Sequence, residues 1–287
     1  MWIAVIAGAC IILIITILFF LRATTNGTSL PLFRGLRMRR WVEPRDTVTC
    51  QRIVDDMRRV CVESVGSVPT HPMLHGDMEA LGKRIVMIIY HHHKPVMFNA
   101  ILKADGLVGY DVPIFHVGLV MVVNKMKRKG LQKFSVLNLF LLFLNYRIGT
   151  FQLTDYGRSA SGLRLANDYL DNPYPNYRKP DLTPSSEQVL VAKHVILKHK
   201  PDLGVGPSTR LNVQSFVLEN ALTEEEGGSA QLVNAMQDGR SKKDEINTFL
   251  LSRVGDRQYD VLLCIGKASI ISAILTLGKR FLKRERV

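Results

Sequence analysis

The sequence predicts an α/β fold: a mixed, mainly antiparallel sheet flanked by helices, behind a single N-terminal transmembrane helix. Three observations carry this prediction. Three β-rich runs between residues 84 and 123 are joined by short turns, which is typical of an antiparallel meander. Segments with helical periodicity come before and after the meander. The first 21 residues contain no charged side chain, as expected of a membrane span.

Composition narrows the class of protein without choosing a function. The chain has 287 residues, with hydrophobic and charged fractions of 47% and 22%, which excludes a largely disordered or polytopic membrane protein. A formal net charge of +13 favours anionic partners such as lipid headgroups, nucleic acid or a phosphorylated ligand. The four cysteines include no C-x-x-C pair, so neither a zinc ribbon nor a disulfide framework is predicted.

Residues 1–21 form the predicted transmembrane helix, since a helix of this length crosses a bilayer core of about 30 Å. A cleaved signal peptide is the alternative, but the apolar run is long and lacks a basic n-region and an A-x-A site. Basic residues follow the segment closely, which places the rest of the chain on the cytosolic side. We expect a single-pass membrane protein with membrane lipid as a partner, and a membrane protein complex as a further one.

Residues 22–46 are basic and contain Gly and Pro, so they are predicted to be a tether. The α/β domain is assigned to residues 47–266. Its first segment, "DTVTCQRIVDDMRRVCVESVG", has the apolar spacing of an amphipathic helix, with Asp46 or Thr47 as its cap.

In the central part of the domain, segments with strand periodicity come before and after one with helical periodicity. The runs "RIVMIIYHH", "KPVMFNAILKAD" and "DVPIFHVGLVMVV" are the three strands of the meander. "QKFSVLNLFLLFLNYRI" is a helix of about four turns, too short to span a bilayer and therefore buried. "GTFQLTD" is a further strand.

The remaining elements are a short helix running into a Pro- and Tyr-rich loop, and a helix that begins at the Ser185-Ser186 pair. "TEEEGGSAQLVNAMQDG" is predicted to be a surface insertion, and "QYDVLLCIG" the last strand. Residues 267–287 form a basic amphipathic C-terminal helix. It either lies on an anionic membrane surface or packs on the core with a basic tail.

The stretch "GLVMVVNKMKRKGLQ" places a strand, a basic glycine-bearing turn and a helix in succession. That geometry binds phosphate, because amides at a helix start have no intrahelical partner and glycine allows close approach. Neither the Walker A pattern nor G-x-G-x-x-G is present. An ordinary connection whose lysines face water is the alternative.

The turn resembles the pyrophosphate loop of the GNAT superfamily of acyl-CoA N-acyltransferases, V-x-p-x-x-[RQ]-x-x-G-x-[GA]. Val122 matches the strand valine, Lys127 stands where Arg or Gln is usual, and Gly130 matches the central glycine. Gln132 replaces the final Gly or Ala. The order of elements around the turn is similar over roughly residues 47–200, with residue 266 as the furthest bound.

This resemblance implies a site for coenzyme A. The thioester, acetyl-CoA as co-substrate, would lie on the end of the strand and on the loop, at Met121, Val122, Val123, Lys127, Arg128, Lys129, Gly130, Leu131 and Gln132. It also implies a base on the same strand, for which His116 is the candidate, and a tyrosine acid on a later helix, for which Tyr169 is the candidate. A core histidine and a packing tyrosine are the alternatives. Asp111, Tyr156 and Tyr174 are weaker candidates.

Metal and nucleic-acid functions are not expected. In "YHHHKP" only His91 and His93 could share a strand face, and two ligands without a third do not make a site, so we predict no metal. The basic residues are dispersed and no RNP-like aromatic pattern occurs, which disfavours nucleic acid.

The sequence therefore predicts a membrane-anchored acyltransferase that moves an acyl group, acetyl in the simplest case, from coenzyme A to an amine acceptor. The alternative is a catalytically inactive GNAT-like subunit with a structural or interaction role at a membrane.

Overall fold

The computed structural model describes residues 26–32, 34–157, 159–222, 244–255, 257 and 259–282. The strands in this part of the chain are β1 (Ser29–Pro31), β2 (Leu36–Val42), β3 (Arg84–His91), β4 (Lys94–Lys103), β5 (Ile114–Val122), β6 (Thr150–Gly157), β7 (Asp171–Tyr174), β8 (Arg210–Asn212), β9 (Val217–Glu219) and β10 (Val261–Ser269). The helices are α1 (Thr47–Val65), α2 (Met78–Gly82), α3 (Gln132–Tyr146), α4 (Ala160–Tyr169), α5 (Ser186–Leu203), α6 (Asp244–Val254) and α7 (Ile270–Leu282).

The described strands form one sheet in the order β1-β2-β3-β4-β5-β6-β10-β9-β8, with β7 also paired to β10. Every pairing is antiparallel except that of β5 with β6. The prediction of a mixed, mainly antiparallel sheet flanked by helices is confirmed. The β3-β4-β5 meander is also confirmed, since β4 pairs antiparallel with both β3 and β5.

Helices cover both faces of the sheet. On one face, α1 contacts the sheet where the sulfur atoms of Cys61 and Met121 lie 3.3 Å apart, and α5 lies on the same face. The other face carries α3, α4, α6 and α7; Asn138 of α3 donates to Asn99 of β4 across 2.7 Å. We call these the α1 face and the α3 face.

The predicted helix starts are confirmed by their caps. Asp46 Oδ2 accepts a hydrogen bond of 2.7 Å from Thr49 N, as expected for an N-cap carboxylate. Ser185 caps α5, because its Oγ accepts a hydrogen bond from the Gln188 backbone amide. The Ser185 backbone amide donates to Gln188 Oε1, which completes a capping box.

The tether assigned to residues 22–46 is corrected by the structure from residue 29 onward. Strands β1 and β2 lie there, and β2 pairs with β3 along its whole length. Arg40 is buried: its Nε donates to Asn138 Oδ1 at 2.6 Å and its Nη1 donates to Asn145. The prediction missed β2 because it rested on composition, and a segment rich in basic residues is usually solvated.

The His-rich stretch also differs from the prediction. β3 ends at His91, and His92 and His93 form the two-residue turn to β4 with φ of 48° and 66°. His91 and His93 are therefore not alternate residues of one strand. Strands β8 and β9 and helix α6 had no counterpart in the prediction, since their runs are too short or too polar to stand out.

The predicted transmembrane helix at residues 1–21 and the predicted insertion, mostly residues 223–243, lie outside the described residues. Among the helices that are described, none is both long and apolar enough to cross a membrane. The C-terminal helix begins at Ile270, directly after β10, and packs against α3. Its outer side exposes Ile271, Ile274 and Leu275.

Candidate functional site

Strands β5 and β6 part halfway along their length. Their parallel pairing runs from Ile114 opposite Gln152 to Val117 opposite Asp155. Beyond that pair β5 continues to Val122, while β6 continues to Gly157 with β10 as its partner. The two strands are therefore no longer paired with each other between Val117 and the turn that follows β5, and we call the space between these unpaired edges the cleft.

The backbone of β5 is available along this cleft. Val123 N donates to Val96 O at 3.0 Å, so it faces β4. Because backbone groups alternate along a strand, those of Val122 and Val120 point to the opposite edge, which β6 has left. The Val120 side chain is 39% exposed. The backbone groups of Val122 thus face the cleft. The Met121 side chain is instead buried against α1, and the Val123 amide is bonded to β4 within the sheet.

A β-bulge lies at the inner end of the cleft. Asn99 of β4 stands opposite Val120 and Ile101 opposite Val117, so Ala100 alone faces both Gly118 and Leu119. A bulge bends its strand and re-aims the residues after it. It comes directly after the last β5-β6 pair, which accounts for the parting of the strands at that position.

The turn after β5 is held by buried apolar residues at both ends. Met126 ends a 3₁₀ turn and Leu131 precedes α3, and both are buried. Arg128 and Gly130 adopt left-handed φ of 65° and 71°, a conformation in which glycine is unstrained. Leu131 then returns to the right-handed region at φ −64°. Such an alternation makes successive amides converge into an anion-binding concavity.

The loop amides are free to bind a ligand. The amides of Gly130, Leu131 and Gln132 donate to no acceptor among the described residues. Exposed basic side chains at 127, 128 and 129 surround them. Lys125 is instead directed to α1, where its Nζ lies 2.9 Å from Glu63. The loop therefore combines converging N–H groups, the positive end of α3 and three cationic side chains.

His116 lies at the inner end of the cleft, on the α1 face. It is 0% exposed, its Nδ1 is 2.9 Å from Thr154 Oγ1, and its ring stacks on Tyr156. Burial, followed by the charge of Arg84, lowers the pKa of His116 to about 3. The ring is therefore neutral at pH 7. The Nε2 atom has no hydrogen-bond partner in the described part of the chain.

Asp155 lies at the same point of the sheet, on the α3 face, and sequence reasoning missed it. It pairs with Val117 where the strands part, and part of its surface remains accessible. A methyl group added at Gly162 of α4 would lie 3.7 Å from its Oδ2, so the carboxyl is beside the first turn of that helix. Burial raises the pKa of Asp155 to about 7, against a hydrogen bond from the Tyr156 backbone.

Tyr169 is not brought together with His116. It is the last residue of α4, is 1% exposed, and has a hydroxyl without a partner among the described residues. Asp155 lies beside the first turn of α4, at Gly162. Tyr169 is seven residues further along this helix, which is about 10 Å. Burial raises the pKa of Tyr169 above its usual range.

The weaker candidates are also accounted for. Tyr156 donates to Leu203 O at 2.6 Å, Tyr174 donates to Gln214 O, and Asp111 is exposed beyond the far end of β5. No group of three His, Cys, Asp or Glu side chains in the described part of the chain is arranged to hold a metal ion.

Comparison with known proteins gives only distant structural likenesses. No protein-family model matches the chain, and no curated protein matches it by sequence. Three solved structures with partial likeness are acetyltransferases. A GNAT-family acetyltransferase from Streptococcus pneumoniae is 10% identical, covering 48% of this chain and 86% of that one, with a TM-score of 0.34.

The other two act on or are named for aminoglycosides. An aminoglycoside acetyltransferase from an uncultured soil metagenomic sample is 16% identical over 39% of this chain and 73% of that one, with a TM-score of 0.28. An aminoglycoside 6'-N-acetyltransferase complexed with coenzyme A is 12% identical over 42% of this chain and 62% of that one, with a TM-score of 0.29. Likenesses of this size do not establish a family for the chain.

Proposed function

We propose that the protein transfers an acyl group from a coenzyme A thioester to an amine, as a divergent member of the acyl-CoA N-acyltransferase fold. One observation carries this proposal: β5 parts from β6 after Val117 and leads into a loop whose amides at Gly130, Leu131 and Gln132 have no acceptor among the described residues. A diphosphate and an extended amide-containing arm have the charge and shape that these two adjoining features accept.

The loop fits the diphosphate of coenzyme A. Its converging amides and the α3 terminus would hold the phosphate oxygens, and Lys127, Arg128 and Lys129 would supply positive charge. Gln132 is exposed, and its backbone amide remains free even though its side chain is larger than the usual Gly or Ala. This supports a working loop despite that departure.

The strand edge fits the arm of the coenzyme. Backbone groups of Val120 and Val122 face the cleft and would hydrogen-bond to the arm's amides, as an added strand does. Of the predicted binding residues Met121, Val122 and Val123, we therefore keep only Val122 as a backbone contact to the arm. Val120 is added to it. The coenzyme supplies a thioester carbonyl, which would lie at the inner end of the cleft beside Gly118.

His116 and Asp155 divide the proton transfers between them. As the amine nitrogen bonds to the acyl carbon and the carbon–sulfur bond breaks, the neutral His116 Nε2 takes one proton from the amine. Asp155, protonated below about pH 7, gives one proton to the departing thiolate. Asp155 replaces Tyr169 as our candidate acid, because of its position at the cleft.

A non-catalytic role at a membrane is the second candidate, and one observation favours it. His116 is completely buried, and the last turn of α5 closes the α1 face beside it, through the bond from Tyr156 to Leu203. In that case the loop would still bind an anion, but no acyl group would be transferred.

Membrane attachment is proposed from two segments. Residues 1–21 have the length and composition of a bilayer span. The outer side of α7 exposes Ile271, Ile274 and Leu275, and the sequence after residue 278 is rich in Lys and Arg. An apolar helix side next to basic residues suits the surface of an anionic bilayer.

The proposed reaction is tested by thiol release. Full-length protein in mild detergent is incubated with acetyl-CoA and a panel of amines, and free coenzyme A is measured with a chromogenic disulfide. Acyl transfer predicts release that depends on an amine and matches the N-acetyl product one to one. Release that does not depend on an amine would indicate thioester hydrolysis and contradict acyl transfer to an amine. No release with any amine in the panel would argue for the non-catalytic role.

A further inference from the structure

A cavity of about 280 Å³ lies on the α1 face, between β2 and the first turns of α1. It is lined by residues 26–28, by Arg39 and Trp41 of β2, and by Thr49 and Arg52 of α1. Pockets for drug-sized ligands measure about 300–1,000 Å³, so this one suits a small polar group. We call it the Arg39 cavity.

The charge of the Arg39 cavity is positive. No carboxylate is present among the described residues that line it. Neither Arg39 nor Arg52 forms an ion pair with a described residue, and the closest ring to the Arg39 guanidinium is that of Tyr90, at 5.9 Å from its centre. Thr28 and Thr49 add hydroxyl groups that can donate. A space bordered by two unpaired guanidinium groups and by further donors favours an anion.

The carboxylates near this cavity have other partners. Asp46 caps α1 through its bond with the Thr49 amide. Asp55 and Asp56 line a second, larger cavity, which Arg52 also borders. Asp56 is buried there and accepts a hydrogen bond of 2.7 Å from the Tyr90 hydroxyl. These acids therefore do not enter the Arg39 cavity.

The segment that lines the cavity is fixed to β2. Asn26 Nδ2 donates to Val42 O at 3.2 Å, and Asn26 Oδ1 accepts from Val42 N at 2.6 Å. Gly27 N donates to Arg40 O at 2.8 Å. A Cβ added at Gly27 would lie 3.0 Å from Trp41 Nε1, so the chain runs directly over the indole. The place of Asn26 on the sheet is thus set by β2.

The distance from the cavity to the bilayer follows from the proposed membrane attachment, on which this step rests. The proposed span ends at residue 21, five residues before Asn26. Five residues reach at most about 17 Å. The headgroup layer outside the hydrocarbon core is about 5–8 Å thick. Lipid phosphates are therefore the anions closest to Arg39 and Arg52, and tryptophan is a residue typical of this depth.

We propose that the Arg39 cavity binds the phosphate group of an anionic membrane lipid, with Arg39 and Arg52 as its cationic ligands. Phosphate oxygens match the planar donors of two guanidinium groups, and Thr28 and Thr49 supply further donors. A bound headgroup would fix the orientation of the domain on the membrane surface. A free phosphate ion has the same chemistry, and the experiment distinguishes the two sources.

Trp41 reports on the cavity, because the only other tryptophan in the chain is Trp2. Full-length Trp2→Phe protein in non-ionic detergent is titrated with dihexanoyl phosphatidate, dihexanoyl phosphatidylcholine or inorganic phosphate, and Trp41 fluorescence is followed. Phosphatidate is expected to saturate at a concentration about tenfold or more below the other two. Saturation by phosphatidate and inorganic phosphate at one concentration would overturn the lipid source, and no saturable change with phosphatidate would overturn the site.

Paired variants locate the site. Arg39→Gln with Arg52→Gln should raise the phosphatidate concentration at half-saturation about tenfold or more. Arg37→Gln with Arg59→Gln is the matched control: it removes the same charge from the same strand and helix, at exposed residues that do not line the cavity. Equal weakening in the two double variants would contradict the proposal. If the first double variant does not fold, Arg52→Gln alone changes an exposed residue and should still weaken binding more than Arg59→Gln.

The failure of this inference is distinguishable from that of the proposals on which it rests. Full-length protein that carbonate extracts from membranes but that binds phosphatidate would remove the span and keep the site. Protein that resists carbonate but does not bind phosphatidate would do the reverse. Thiol release reports acyl transfer separately, and the double variant at Arg39 and Arg52 should leave its rate unchanged.

Discussion

Val117 of β5 stands opposite Asp155 of β6 in the last parallel pair before the two strands part. One residue earlier, His116 lies beside Thr154 on the other face of the sheet. The parting of the strands therefore places a neutral imidazole and a protonated carboxyl on the two sides of one point.

Asp155→Asn should remove a pH dependence from the acyl transfer. Because burial raises the pKa of Asp155 to about 7, the acid form is present below that pH and lost above it. With methoxyamine, an acceptor that is neutral across the range, the rate should fall as the pH rises through 7. Asp155→Asn should lower the rate about a hundredfold or more and flatten the profile.

Tyr169→Phe is the matched comparison for that variant. It removes a buried hydroxyl at the other end of α4 and should leave both the rate below pH 7 and the shape of the profile unchanged. If Tyr169→Phe reduces the rate while Asp155→Asn does not, the tyrosine is the acid.

Acid should destabilise the folded chain through His71 and His116. Burial lowers the pKa of each ring from 6.5 to about 3 on folding. Between these values the unfolded chain binds protons that the folded chain does not, so the free energy of unfolding falls as the pH falls through this window. Each histidine contributes a slope of up to about 1.4 kcal/mol per pH unit.

Asp155 acts in the opposite sense, because its pKa rises from 3.8 to about 7 on folding and its contribution is lost as the pH rises. Comparing the wild type with His116→Asn cancels that contribution. Urea unfolding near pH 7.5 and pH 5 should show a fall in unfolding free energy that is smaller by about 2 kcal/mol in the variant. Equal falls would mean that His116 is not neutral in the folded chain.

A chain beginning at residue 26 should fold, and one beginning at residue 44 should not. The shorter chain lacks β1 and β2, and with them the buried Met38, Arg40 and Trp41. Each large apolar side chain contributes about 1.5–3 kcal/mol, which is a large share of a domain stability of about 5–15 kcal/mol. Circular dichroism melts compare the two chains. Equal melting temperatures for the two chains would support the prediction that residues 22–46 are a tether.

Two substitutions test the membrane proposal for α7. In the chain beginning at residue 26, Ile271→Glu and Ile274→Glu should reduce co-sedimentation with vesicles containing phosphatidylserine, since each places a negative charge on the exposed apolar side. Leu251→Glu on α6 is the control, because Leu251 is similarly exposed but lies on a different helix. A uniform loss among the three variants would indicate a general charge effect.

Most of the fold could be predicted from residue patterns, and the site could be predicted only in part. The strand alternation before Val123 and the Gly130 turn identified the loop, because both leave a local signature. Asp155 left none: its significance depends on the pairing with Val117, which joins residues far apart in the sequence. Arg40 misled composition-based reasoning, since a basic residue is usually solvated and this one is buried.

Coenzyme A binding at the loop is the central claim, and a calorimetric titration tests it most directly. Full-length protein is titrated with acetyl-CoA up to millimolar concentration, alongside Gly130→Glu and Gly109→Glu. Gly109 shares the left-handed φ but lies in an exposed loop between β4 and β5, so it controls for backbone strain. We predict binding by the wild type and Gly109→Glu and none by Gly130→Glu; absent heat in the wild type, or equal affinity in all three, would contradict it.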